Sequence, residues 1–218
     1  MSEHTALRRS KHAEPRTARR AGQPQPAVHA SGPARHTIWP VRSGTVPFTD
    51  RRFTPRPETG QGPWDALRPG TTVVLGPADP SAAARPGSPA VPGGTGKTHL
   101  AAAFAARLWA TEQLDLLVWL AAGSRDSIVA GYAQALAGIR VAAAPGQPEA
   151  AAARFLAWLA ATGRRWLVVL DGLADPADLD GLWPHGPAGQ VLVTTGRPGV
   201  CPPGRPCSWS AAWACASR

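Results

Sequence analysis

Four uninterrupted apolar stretches limit what this chain can fold into: Thr71-Thr72-Val73-Val74-Leu75, Asp115-Leu116-Leu117-Val118-Trp119-Leu120, Trp166-Leu167-Val168-Val169-Leu170 and Gln190-Val191-Leu192-Val193-Thr194-Thr195. A strand with one face in water alternates apolar and polar residues. A strand that is apolar at nearly every position is buried on both faces, as in parallel sheets covered by helices. The intervening sequence supplies the helices. Leu100, Phe104 and Leu108 recur at four-residue steps over 97–112. Ser124 caps a second helix whose apolar face is Ile128, Val129, Tyr132, Leu136 and Ile139. A third starts at Glu149, carries Ala152, Phe155, Leu156 and Leu159, and stops at Gly163. Strands alternating with helices give right-handed crossovers, so the expected class is α/β, a three-layer parallel sheet with helices on both faces.

Charge divides the chain. Residues 1–60 hold 11 Lys+Arg against 4 Asp+Glu, whereas residues 61–198 hold 10 of each. The net charge of +9 therefore belongs to the ends, and no nucleic-acid-binding face is expected on the balanced middle. Residues 1–46, rich in Arg, Pro and His, have too few large apolar side chains to offset the entropy of ordering and are read as a disordered tail. Residues 47–198 form the expected domain, with 47–70 an ordered approach to it, and 199–218 an irregular Cys-, Trp- and Pro-rich tail. All three cysteines, Cys201, Cys207 and Cys215, fall in that last segment, at spacings that match no common zinc site. The N-terminus lacks the apolar run of a signal peptide, and no stretch approaches the roughly 18 apolar residues of a membrane span. A soluble protein of a reducing compartment, the cytoplasm, is expected, with no membrane partner.

The segment Val91-Pro92-Gly93-Gly94-Thr95-Gly96-Lys97-Thr98 stands between the first strand and the first helix. Glycines at 93, 94 and 96 let the backbone curl so that successive N–H groups, with that of Thr95, point inward at phosphate oxygens. The helix that follows, opening Lys97-Thr98-His99, offers its unpaired N–H groups and positive dipole end to the same anion. Lys97 is positioned to reach the β- and γ-phosphates and the Thr98 hydroxyl to ligate Mg²⁺. Only two lysines occur, Lys11 and Lys97; elsewhere the positive charge is arginine, so lysine at this place is informative. Val91 replaces the first glycine of the usual pattern. A β-branched residue resists positive φ, so the chain must enter the loop differently here.

Two strand ends complete the pattern. Asp171 closes the apolar run from Leu167 to Leu170, and an aspartate at the carboxyl end of a buried parallel strand faces the ligand crevice, where it can hold Mg²⁺ through water. Arg197 follows Val193-Thr194-Thr195-Gly196, beside the same crevice, and can sense the γ-phosphate. The candidate set is thus Gly93, Gly94, Thr95, Gly96, Lys97, Thr98 and His99 for nucleotide, Thr98 and Asp171 for Mg²⁺, and Lys97, Asp171 and Arg197 for chemistry.

Together these pieces resemble the nucleotide-binding core of the STAND class of P-loop NTPases, in particular the NB-ARC type found in actinobacterial ATP/GTP-binding regulators. The resemblance covers roughly residues 47–198. It implies that the Thr195 strand lies between the Leu75 and Asp171 strands, that ATP or GTP binds with Mg²⁺, and that the protein is a signalling switch. Full-length relatives carry C-terminal helical and repeat domains that contact protein partners. Members commonly place a second acid after the metal-binding aspartate to polarise the attacking water; here that position is Gly172, so hydrolysis is expected to be slow or absent. The chain also ends soon after Arg197, without a recognisable fifth strand, which leaves the Leu75 strand as an open edge, and out-of-frame reading after about Gly199 would explain the composition of the tail. Two other functions stay open: a non-catalytic α/β interaction scaffold, and an ATPase tethered to nucleic acid by the basic N-terminus.

Overall fold

The computed structural model describes residues 37–48, 67–76, 96–142, 146–197 and 199–204, and the backbone of 207–211. In chain order these form β1 (Val41–Ser43), β2 (Thr72–Gly76), α1 (Lys97–Ala110), β3 (Leu116–Ala121), α2 (Arg125–Gly138), α3 (Pro148–Ala161), β4 (Trp166–Leu173), a 3-10 turn (Pro176–Leu179), β5 (Gly189–Thr195) and β6 (Cys207–Ala211). The strands make one sheet in the order β1-β3-β4-β5-β2-β6, and each neighbouring pair is parallel. The Thr195 strand lies between the Leu75 and Asp171 strands, as the resemblance implies.

The apolar runs are continuous because each strand feeds two cores. Val73, Leu75, Leu117, Trp119, Leu167, Val169 and Leu192 pack with Leu100, Phe104 and Leu108 of α1. The alternate residues Val74, Leu116, Val118, Leu120, Val168, Leu170 and Val193 pack with Ile128, Tyr132 and Leu136 of α2 and Phe155 and Leu159 of α3. Side chains alternate across the pleat, so only a strand apolar at every position can serve both layers. Local signals agree with this arrangement. The Ser124 hydroxyl oxygen accepts from the Ser127 amide, and the Ser127 hydroxyl oxygen accepts from the Ser124 amide, a reciprocal cap that starts α2. Pro148, which has no N–H to leave unpaired, sits in the first turn of α3.

Both ends of the sheet differ from expectation. Val41–Ser43 lies inside the segment read as a disordered tail, yet it pairs in register with Leu116, Leu117 and Val118. Thr37 adds a hydrogen bond from its hydroxyl to the Ile139 carbonyl at 2.6 Å. Ordered chain therefore begins before residue 47. At the other side, Cys207–Ala211 pairs with the whole of β2, from Thr72↔Cys207 to Gly76↔Ala211. The missing fifth strand and the open edge at the Leu75 strand are thus corrected: β2 is an interior strand. The strand's own signal is a short alternation of Cys207, Trp209 and Ala211 with Ser208 and Ser210, which the composition of the tail concealed. Cys201, in the C-terminal segment that holds all three cysteines, is disulfide-bonded. No helix among the described residues is long and apolar enough to cross a membrane.

Candidate functional site

The chain leaves β2 and returns as α1, which packs across β5 and β4 and directs its N-terminus at their carboxyl ends. That crevice is where ligands bind in open parallel sheets. Gly96 precedes the helix with φ 73°, a left-handed conformation that a side chain resists, and its carbonyl accepts the Leu100 amide at 2.8 Å. Lys97, Thr98 and His99 form the first turn, with no acidic residue to oppose an anion.

Three side chains from three elements meet at one carboxylate oxygen. The Thr98 hydroxyl of α1 donates to Asp171 Oδ1 at 2.7 Å. The Thr194 hydroxyl of β5 donates to the same oxygen at 2.6 Å. Asp171 stands at the end of the fully buried run of β4, and its own carbonyl accepts the amide of Ala122, the residue just after β3, at 2.8 Å, so its backbone is held as well as its side chain. Beyond it the ladder between β4 and β5 slips between Leu170 and Leu173. Gly172 occupies the slip with φ 73°, and its N–H donates to the Thr194 hydroxyl at 2.8 Å. Thr195, also buried, bonds the Leu173 carbonyl at 2.8 Å and closes the bulge on its far side.

Lys97 is partly buried, and desolvation holds its ammonium below the usual lysine range. Burial disfavours the charged form, and an anion held beside the ammonium opposes that shift. Asp171 makes no ion pair among the described residues, and its two hydrogen-bond donors are neutral hydroxyls. A carboxylate and a hydroxyl in contact at a helix N-terminus form a hard oxygen set of the kind that holds Mg²⁺ together with phosphate oxygens. No group of three His, Cys, Asp or Glu side chains gathers among the described residues, so an all-protein metal cage is not formed there.

Of the residues singled out from the sequence, Thr98 and Asp171 are in contact, and Gly96, Lys97 and His99 stand at the same helix start. Gly93, Gly94, Thr95 and Val91 lie outside the described residues. Arg197 is exposed, and its described contact is a backbone one, its N–H donating to Thr195 Oγ1 at 3.0 Å. Asp175 is engaged elsewhere, capping the Ala177 amide of the 3-10 turn at 3.0 Å. The residue that sequence reasoning missed is Thr194. Its signal was a pair of hydroxyls ending an otherwise apolar strand, which β-propensity alone also explains.

A six-stranded parallel sheet with this strand order, helices on both faces, and a Gly-Lys-Thr helix start facing an aspartate-tipped strand defines the class: the fold is an α/β fold of the P-loop NTPase type. No protein-family model matches the chain, and no curated protein matches it. Among solved structures it is similar to Cdc6p from Pyrobaculum aerophilum, at 15% identity and a TM-score of 0.42 over 76% of this chain and 47% of that one. It is also similar to the ORC2 protein of Aeropyrum pernix, solved as ADPNP–ADP complexes, at 16% identity and a TM-score of 0.37 over 68% of this chain and 44% of that one. The chain spans less than half the length of either.

Proposed function

We propose that this chain binds ATP or GTP with Mg²⁺ as the nucleotide-binding core of a STAND, NB-ARC-like regulatory NTPase of the cytoplasm, turning it over slowly or not at all. The observation that carries this reading is the 2.7 Å contact between Thr98 and Asp171, two residues 73 positions apart that a phosphate-and-metal site needs side by side. In the proposal the backbone amides of 93–96 and the first turn of α1 take the β- and γ-phosphates, and Lys97 supplies the countercharge. Thr98 and Asp171 hold Mg²⁺, which when bound neutralises charge on the phosphates. Arg197 reads the γ-phosphate from the end of β5, a role that requires its exposed side chain to turn toward the crevice.

Slow turnover follows from Gly172. The place where relatives carry a water-polarising acid here has a left-handed backbone and no side chain. Asp175, the next acid along, is held in its cap. Binding without rapid hydrolysis suits a switch whose two states differ in how the core meets neighbouring helical domains.

The test is equilibrium binding of Mg·ATP and Mg·GTP to the full chain, with Lys97→Ala alongside. Saturable binding that the variant loses by a factor of at least about one hundred, on the order of 2.7 kcal/mol, supports the reading. Absence of binding in the unmodified chain would leave an α/β interaction scaffold in its place.

A further inference from the structure

We infer that Thr194 is the positioning residue of the metal site: it fixes the Asp171 carboxylate so that one oxygen stays available to Mg²⁺. This rests on the nucleotide-binding reading above and adds to it a residue and a role.

The direction of each hydrogen bond is settled by elementary chemistry. The Gly172 N–H can only donate, so the Thr194 oxygen accepts from it at 2.8 Å. The Thr194 proton is therefore free to go to Asp171 Oδ1, at 2.6 Å. Thr98 sends its own proton to the same oxygen at 2.7 Å. Two hydroxyl protons on Oδ1 leave Oδ2 without a hydrogen bond among the described residues. Thr194 is 2% exposed, so water does not compete for its hydroxyl. Each hydroxyl anchors the carboxylate from a different element, and the two anchors differ in kind. Thr98 is itself a proposed metal ligand and changes its surroundings when the ion binds. Thr194, tied to the backbone of β4, does not need to move.

The bulge at Gly172 is part of the device. With regular pairing through Leu173 the Gly172 amide would belong to the ladder; the slip turns it toward the Thr194 side chain. A Cβ placed at Gly172 would meet nothing within 4 Å, so glycine is required by its φ of +73°, not by crowding. The residue that replaces the relatives' acid thus orients the group that holds the metal-binding one.

Residues that orient metal ligands commonly change affinity by about 10–100-fold when removed. Thr194→Val keeps the shape and removes the hydroxyl. In the full chain, the Mg²⁺ concentration that half-saturates the effect on binding of a fluorescent ATP analogue should rise at least about tenfold. Binding of the analogue without Mg²⁺ should change less than about twofold, and Thr194→Ser should restore the original midpoint to within about twofold. A purely structural role would lower the melting temperature without moving the Mg²⁺ midpoint, and that result overturns the inference. Should the valine variant not fold, the unmodified protein decides: the Gly172 amide must exchange with solvent far more slowly than an open loop amide, and exchange at the open-loop rate overturns the inference. If the unmodified chain binds no nucleotide, the functional reading fails first; an unmoved midpoint in a chain that does bind removes only the role of Thr194.

Discussion

Two aspartates at opposite ends of the sheet meet different partners. Asp115, at the amino end of β3, takes three bonds from Arg165: the backbone amide to Oδ2 at 2.9 Å, Nη2 to Oδ1 at 3.0 Å and Nε to Oδ2 at 3.4 Å. The Arg165 side-chain hydrogen bonds hold its carboxyl below the usual range, while its slight burial opposes them. Asp171, at the carboxyl end of β4, has a comparable number of contacts, yet both side-chain donors are uncharged. Asp115 is a completed ion pair in solvent, and it closes the turn that leads into β4. Asp171 is held in place by neutral hydroxyls, one of them from the first turn of α1, the turn in which burial lowers the Lys97 pKa. A fold that only needed to be stable would gain little from a part-buried carboxylate whose side-chain donors among the described residues are all uncharged. In the proposed function a divalent cation would supply the countercharge at that carboxylate.

Substitutions at the two ends should separate these roles. Asp171→Asn keeps the shape and the hydroxyl contacts. It should abolish the Mg²⁺-dependent part of nucleotide stabilisation, which for the unmodified chain is about 2.7 kcal/mol at a ligand concentration of one hundred times Kd. Its ligand-free stability should stay within about 1 kcal/mol, as measured by urea unfolding. A loss of ligand-free stability as large as the loss of the ligand effect would make Asp171 a structural residue like Asp115. Gly172→Ala should cost about 1–2 kcal/mol, because L-residues resist the left-handed backbone found there. Unfolding curves that superimpose on the unmodified chain would mean the bulge is not as described.

The pH dependence follows from Lys97. Its folded-state pKa is lowered by burial, so its charged form is disfavoured in the ligand-free fold. That cost is present at all pH values below the lowered folded pKa and fades as pH rises from there to the unfolded value. Ligand-free stability should therefore gain slightly on the alkaline side of neutrality from this group. Phosphate binding needs the protonated form, so affinity should fall across the same alkaline range, and Lys97→Arg should flatten that fall. An affinity constant up to the ordinary lysine pKa would contradict a direct role for the ammonium. The smallest effect belongs to the Asp115 pair. A depressed carboxyl pKa contributes stability that is present above its unfolded value and lost as pH falls through the folded one. Asp115→Asn should thus reduce acid sensitivity below about pH 4, lower the melting temperature only slightly and depend on salt, since the pair is exposed.

Much of this architecture was legible in sequence because its cause is side-chain burial. The four inner strands, the three amphipathic helices and the Ser124 cap each leave a pattern that one linear chain displays. The outer strands leave fainter ones. β1 offers only Val41 as an apolar residue in three, and it forms because β3 presents an unpaired edge in register with it. β6 pairs along β2, and its five-residue alternation of Cys207, Trp209 and Ala211 with Ser208 and Ser210 is easily passed over in a Pro- and Trp-rich tail. At the site, Lys97, Thr98 and Asp171 could be read because their chemistry is unusual for their positions. Thr194 could not, since threonine at a strand end is ordinary until the slip at Gly172 gives its hydroxyl a direction.

In the proposed function nucleotide and Mg²⁺ act through one site. Melting temperatures of the full chain should be recorded alone, with Mg²⁺, with ATP plus chelator, and with both. The expected result is a small rise with ATP, almost none with Mg²⁺, and a rise with both that exceeds their sum, the excess vanishing in Asp171→Asn. Four coincident melts, or a joint effect that is merely additive and survives that substitution, would contradict it.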